Sequence, residues 1–178
     1  MIRIPLPVLR RLPYIRGLVL DVDGVLTDGR LSFGPTEEMK SFHVRDGHGI
    51  ALLLRSGFPV GIISGRSGAA TERRLADLGI QDFFLGIRDK SQAFDSLLSR
   101  WKLEPGQVAA MGDDVTDLAL LRRAGLFIAV SDSHPSVLRM ADWVTSAPGG
   151  KGAVRQISDA LLFVQNRKCK DKGEDHLC

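Results

Sequence analysis

Two carboxylates two residues apart, Asp21 and Asp23, close an apolar run and lead into Gly24. Residues i and i+2 of a strand project to the same side. Like charges held so close repel unless a divalent cation lies between them or one keeps its proton. The pair therefore suits a Mg2+ site in which one carboxylate attacks phosphorus and the other moves a proton. Asp23-Gly24 also fits a plain turn between two hairpin strands, since Asp-Gly is a common turn dipeptide.

Three further apolar runs end in polar residues. Val60 to Ile63 leads into Ser64-Gly65-Arg66, where a small hydroxyl and a glycine leave backbone N–H groups open to a phosphate oxygen. A Ser-Gly pair also serves as a simple turn. Lys90 follows Gly86-Ile87-Arg88-Asp89 at a predicted helix start, from which an ammonium reaches a phosphoryl group or merely meets solvent. Ala109-Ala110-Met111 passes into Gly112-Asp113-Asp114, with Asp117 three residues on. That spacing equally describes a helix N-cap, with Asp114 capping and Asp117 at the third helical position.

These motifs sit at predicted strand-to-helix edges. Strands are expected near Leu18 to Val22, Val60 to Ile63, Phe83 to Leu85, Val108 to Met111 and Phe127 to Val130. Helices are expected near Gly49 to Ser56, Gly68 to Leu78, Lys90 to Trp101, Asp117 to Ala124, Pro135 to Met140 and Lys151 to Gln165. Such alternation predicts an α/β fold, a Rossmann-like three-layer sandwich with a central parallel sheet and helices on both faces. In an open α/β sheet the ligand crevice lies outside the carboxyl ends of the strands. One stretch departs from the alternation: Arg30 to Phe33 and Met39 to Val44, across Gly34-Pro35-Thr36, predict a β-hairpin after the first strand, projecting from the rim of the crevice.

With 178 residues, 44% hydrophobic and 25% charged, the chain predicts one globular domain over residues 17–165, preceded by an N-terminal extension (1–16) and followed by a charged, flexible tail (166–178). The net charge is +3 and the basic residues gather at the ends, Arg3, Arg10, Arg11 and Arg16 in front and Arg167, Lys168, Lys170 and Lys172 behind. With one Tyr and no interleaved aromatics, this argues against a nucleic-acid surface. No apolar run is long enough for a membrane span, and Pro5, Pro7 and Pro13 break the start before a signal-peptide core. A cytoplasmic protein is expected. Cys169, Cys178 and His176 share the tail, too small a ligand set for a structural zinc site, and reduced thiols are expected there.

Taken together, strand-DxDG, strand-SG, helix-start Lys and strand-GDDxxD, in that order from Gly17 to about Gln165, resemble the four motifs of the haloacid dehalogenase superfamily of phosphohydrolases. The resemblance implies Asp21 as nucleophile, forming an aspartyl phosphate, and Asp23 as the acid that protonates the leaving oxygen and then the base that activates water. It implies Mg2+ held by Asp21, Asp113 and the main-chain carbonyl of Asp23, with Asp114 close by and Asp117 orienting its neighbours. Ser64, the Gly65 N–H and Lys90 would bind the phosphoryl oxygens. An acid at the second position points to phosphatase rather than dehalogenase chemistry.

The chain has no room for an inserted cap domain, so a neighbouring subunit is expected to cover the site. Asp23-Gly24-Val25-Leu26-Thr27-Asp28-Gly29, Phe42 to Ile50 and Gly149 to Arg155 are similar to the phosphatases of 3-deoxy-D-manno-octulosonate 8-phosphate. That resemblance implies an eight-carbon keto-acid sugar phosphate as substrate, on the route to lipopolysaccharide, and a homotetramer whose hairpins form a central barrel. The substrate carboxylate calls for planar guanidinium partners, for which Arg66 and, from a neighbouring subunit, Arg45 are the candidates. A phosphatase for a nine-carbon keto-acid sugar phosphate remains open. So does a signalling receiver domain built on a lasting phosphoaspartate, against which Asp23 and Gly112-Asp113-Asp114 weigh.

Overall fold

The fold is given by a computed structural model that describes residues 4–35 and 38–171, with side chains as far as Arg167. Its sheet is built from β1 (Gly17–Leu20), β4 (Val60–Ile63), β5 (Asp82–Phe84), β6 (Val108–Gly112), β7 (Leu126–Ala129) and β8 (Trp143–Val144). The six strands lie in the order β5-β4-β1-β6-β7-β8, and every pairing is parallel. β1 is central, with β4 on one side and β6 on the other, so the loops after these three strands open at the same edge of the sheet.

Alternation along each strand divides the core into two layers. Leu18 and Leu20 of β1, Ala109 and Met111 of β6, and Leu126 and Ile128 of β7 belong to one cluster. It is covered by α1 (Leu6–Arg11), α2 (Val44–Arg55), α3 (Ala69–Leu78) and α7 (Ala153–Asp171), through Val8, Ile50, Leu53, Leu75, Val154 and Ile157. Val19, Ala110, Phe127 and Ala129 face the other cluster, under α4 (Lys90–Trp101), α5 (Leu118–Leu121) and α6 (Pro135–Leu138). This is the expected three-layer sandwich.

Some expected boundaries move. The stretch before Gly17 forms a short helix and a 3-10 turn (Leu12–Tyr14), and Val8, Leu12 and Ile15 are buried in the core. The hairpin is shorter than predicted: β2 (Ser32–Phe33) pairs antiparallel with β3 (Glu38–Met39), and Val44 already opens α2. A two-stranded ribbon with no sheet beside it buries little within one chain, and Phe33 and Met39 are exposed. The last helix runs past Gln165 to Asp171. His176, Cys178 and the end of the predicted tail lie outside the described residues.

A buried carboxylate ties the helical layer together. Asp46, 1% exposed on α2, accepts the N–H groups of Gly152 (3.0 Å) and Arg155 (2.7 Å) at the start of α7. It thus caps a helix other than its own, satisfying N–H groups that lack partners within the helix. No helix among the described residues is long and apolar enough to cross a membrane.

Candidate active site

Asp21 is the first residue beyond β1, and its N–H still donates to the Met111 carbonyl of β6 at 3.0 Å. The ladder therefore fixes its backbone. The chain then folds back tightly, the Val22 carbonyl accepting from Leu26 (2.9 Å) and Thr27 (3.1 Å). Thr27 is buried, and its hydroxyl accepts from the N–H groups of Gly24 and Gly29, each at 3.3 Å. Gly24 has φ +87°, a left-handed conformation costly for other residues, and the Asp113 carboxylate lies where its Cβ would be. Gly149 and Gly150 press on this loop with similarly little room, and the Gly150 N–H donates to Val25 at 2.9 Å. Asp23-Gly24 is thus a clamped loop between strand and hairpin.

At the end of β4, Ser64 is buried and laced to the next strand. Its N–H donates to Phe84 (2.9 Å), its carbonyl accepts from Ile87 (3.0 Å), and its Oγ accepts from the Arg66 N–H (3.2 Å). A Cβ at Gly65 would meet only the Ile87 carbonyl, at 3.9 Å, so a ligand can approach this backbone closely.

Lys90 opens α4, whose N-cap Asp89 accepts the Ser91 N–H at 2.9 Å. The lysine is 4% exposed and its ammonium lies between Asp21, at 2.9 Å, and Asp117. Burial works to lower its pKa, but the two carboxylates outweigh it and hold the group above its ordinary value. Asp117 is fully buried and its second oxygen accepts the N–H groups of Asp113 (3.1 Å) and Asp114 (3.2 Å). Asp114 caps the Val115 N–H at 2.7 Å. The capping geometry and the cluster geometry therefore coexist in these two residues.

Oxygens of Asp21, Asp113 and Asp117 lie within 4.8 Å of one another. Burial, with Asp117 adding to it and Lys90 opposing, pushes Asp21 up to about 6. Burial together with Asp21, Asp117 and Asp114 pushes Asp113 up to about 7. One ammonium serves three desolvated carboxylates, and a hard divalent cation such as Mg2+ relieves that imbalance through the oxygen ligands it prefers. The donor set fits the ion.

A cleft of about 510 Å³ opens above this cluster. Asp21, Asp23, Ser64, Gly65, Arg66, Lys90, Asp113 and Asp114 all line it. Asp117 is buried behind Lys90, and Arg45, exposed near the start of α2, does not line the cleft of its own chain.

The profile of haloacid dehalogenase-like hydrolases matches residues 86–157. Over 168 residues the chain is 44% identical to the 3-deoxy-D-manno-octulosonate 8-phosphate phosphatase KdsC of Escherichia coli strain K12, covering 94% of this chain and 89% of that one. The chain belongs to the haloacid dehalogenase-like hydrolases. This sets the receiver-domain alternative aside. The hydrolase resembles the crystal structure of the Yersinia pestis 3-deoxy-D-manno-octulosonate 8-phosphate phosphatase, with TM-score 0.87 and 43% identity, covering 90% of this chain and 87% of that one. It also resembles the Moraxella catarrhalis phosphatase solved with magnesium, phosphate and KDO, with TM-score 0.87 and 34% identity over 94% and 97% of the two chains.

In this hydrolase the cleft and the residues that pair with its walls include groups that the sequence did not single out. Lys40, just past the hairpin, reaches Asp23 Oδ1 at 2.6 Å, and Glu38 of β3 accepts from Arg66 Nη2 at 2.6 Å. Arg88, two residues before Lys90, adds an exposed cation to the wall. Its signal was a second basic residue on the loop that delivers Lys90. Lys40 and Glu38 gave none: Lys40 fell within the predicted second hairpin strand and Glu38 just ahead of it.

Proposed function

We propose that this haloacid dehalogenase-like hydrolase is a Mg2+-dependent phosphatase of 3-deoxy-D-manno-octulosonate 8-phosphate, releasing the free sugar acid and inorganic phosphate. The reading rests chiefly on one observation, the convergence of Asp21, Asp113 and the Lys90 ammonium on a cleft that also exposes Ser64 and Gly65. The relatives named for that activity, one of them solved with KDO, support the substrate.

Asp21 attacks phosphorus and carries the phosphoryl group as an aspartyl phosphate. Ser64, the Gly65 N–H and Lys90 hold the phosphoryl oxygens, since this transfer needs positioning and charge neutralisation more than covalent assistance. Asp23 gives a proton to the leaving sugar oxygen, then takes one from the water that frees Asp21. Asp21, Asp113 and the main-chain carbonyl of Asp23 would hold Mg2+, which when bound would neutralise charge on the phosphoryl oxygens. Asp114 lines the same cleft, and Asp117 orients Lys90 and the Asp113 loop. Arg66 at the cleft wall and Arg45 of a neighbouring subunit read the substrate carboxylate. The same reading sets the reaction in the cytoplasm, as a step toward lipopolysaccharide precursors.

Chelation should stop phosphate release and added Mg2+ should restore it. Because the ion binds only the folded cluster, Mg2+ at a hundred times its dissociation constant should stabilise the fold by about 2.7 kcal/mol. Phosphate release that survives exhaustive chelation, with a melting midpoint unmoved by Mg2+, would contradict the metal assignment.

The hairpin supports a homotetramer. Leu31, Phe33, Met39 and Val44 are 45–80% exposed, an apolar surface beside unpaired strand edges. Four hairpins around a closed axis would bury it and bring Arg45 to a neighbour's cleft. Light scattering is expected to report four times the 19.4 kDa chain, and a fully active monomer would refute the arrangement.

A further inference from the structure

Lys40 is out of place for a hairpin lysine. Its side chain is 2% exposed although the ribbon it follows is open to solvent. Withdrawing an ammonium from water costs several kcal/mol unless a partner compensates, so a lysine free to stay solvated would do so. The partner is Asp23: Lys40 Nζ lies 2.6 Å from Oδ1, while Glu38 Oε1 is farther away at 3.7 Å.

The two oxygens of Asp23 are thereby made unequal. Oδ1 is engaged by Lys40. Oδ2 is buried and makes no hydrogen bond among the described residues, and Arg66 Nε stands 3.9 Å away, beyond hydrogen-bonding range. Rotation of an Asp carboxylate about its last bond is broad and roughly two-fold, so a bond to one oxygen sets the plane of the group.

We infer that Lys40 is a positioning residue for the acid-base step, holding Asp23 by Oδ1 so that Oδ2 carries the proton. The inference rests on the phosphatase reading above. In the first step the Asp21 oxygen bonds to phosphorus as the bond to the sugar oxygen breaks, and the proton on Oδ2 passes to that oxygen. In the second, a water oxygen bonds to phosphorus as the aspartyl bond breaks, and Oδ2 takes the proton that water loses. Oδ1 stays with Lys40 throughout. The hairpin thus orients the acid as well as shaping the rim.

A leaving group that needs no proton separates this role from folding or phosphate binding. Single-turnover formation of the aspartyl phosphate is measured with the eight-carbon acid sugar phosphate and with p-nitrophenyl phosphate, whose phenolate leaves unassisted. Lys40→Met should slow the first by roughly 10- to 100-fold, a part of the usual contribution of a general acid, and the second by less than about twofold. Lys40→Gln, which keeps a donor but not the charge, guards against a misfolded Met variant and should shift the ratio the same way. Lys40→Arg should recover part of the sugar-phosphate rate. Equal losses with both esters, or none, would overturn the inference alone. Absence of any aspartyl phosphate in the unsubstituted protein would overturn the phosphatase reading and the inference with it.

Discussion

Asp21→Asn should abolish phosphate release, with kcat falling on the order of 10⁴-fold or more, because an amide is neither a nucleophile toward phosphorus nor an anionic metal ligand. The same variant should fold at least as well as the parent. Asp21 is 8% exposed, and burial pushes its pKa up to about 6, so in the metal-free protein its charge opposes folding above that pH. A neutral amide of the same shape removes the opposition while Asp117 remains to pair Lys90. Activity and stability should therefore move apart. Thermal unfolding in metal-free buffer and phosphate release from one preparation check both. Turnover near the parent's, with contamination excluded, would reject the proposed nucleophile.

Lys90→Met should lose both. Its ammonium is the counter-charge shared by Asp21 and the fully buried Asp117, and removing it leaves two carboxylates facing each other without compensation. Breaking a buried pair from one side costs about 3–5 kcal/mol. For a chain of this length that is a fall in melting midpoint of roughly 6–20 °C. Losing the cation proposed to meet the phosphoryl group should lower kcat by on the order of 10²- to 10³-fold. Mg2+ partly replaces the lost charge, so the stability arm is read without metal. An unchanged melting midpoint would show that the carboxylates find another partner and would remove the electrostatic basis of the site.

The sequence carried the fold wherever a strand was long, continuous and followed by a turn residue. Val60–Ile63 and Lys90–Trp101 were legible to the residue because Ser64-Gly65 stops the one and Asp89 caps the other. β8 was not legible, since two residues, Trp143–Val144, hold no period. α2 starts at Val44, ahead of its expected start, because Gly47 and Gly49 disguise a helix. Gly49 is needed there: a Cβ would lie 2.8 Å from Ser158 Cβ of α7, against which α2 packs. Asp21, Asp23, Ser64, Gly65, Asp113 and Asp114 follow strand ends and Lys90 opens a helix, and they were nominated for those positions. Lys40 escaped because its partner Asp23 is 17 residues away across an irregular loop, and only the folded hairpin brings the two together. Arg45 lies away from its own chain's cleft, and its proposed role depends on a neighbouring copy.

The substrate assignment is tested most directly by kcat/KM for phosphate release from 3-deoxy-D-manno-octulosonate 8-phosphate, measured beside a nine-carbon keto-acid sugar phosphate at saturating Mg2+. Both carry the carboxylate that Arg66 and Arg45 are proposed to read, so the comparison isolates the fit of the sugar between that carboxylate and the phosphate that Ser64, Gly65 and Lys90 are proposed to hold. The eight-carbon substrate should be preferred by roughly tenfold or more, the discrimination that a mismatch of one carbon usually gives. Equal or better turnover of the nine-carbon substrate, or no release from either, would contradict the assignment.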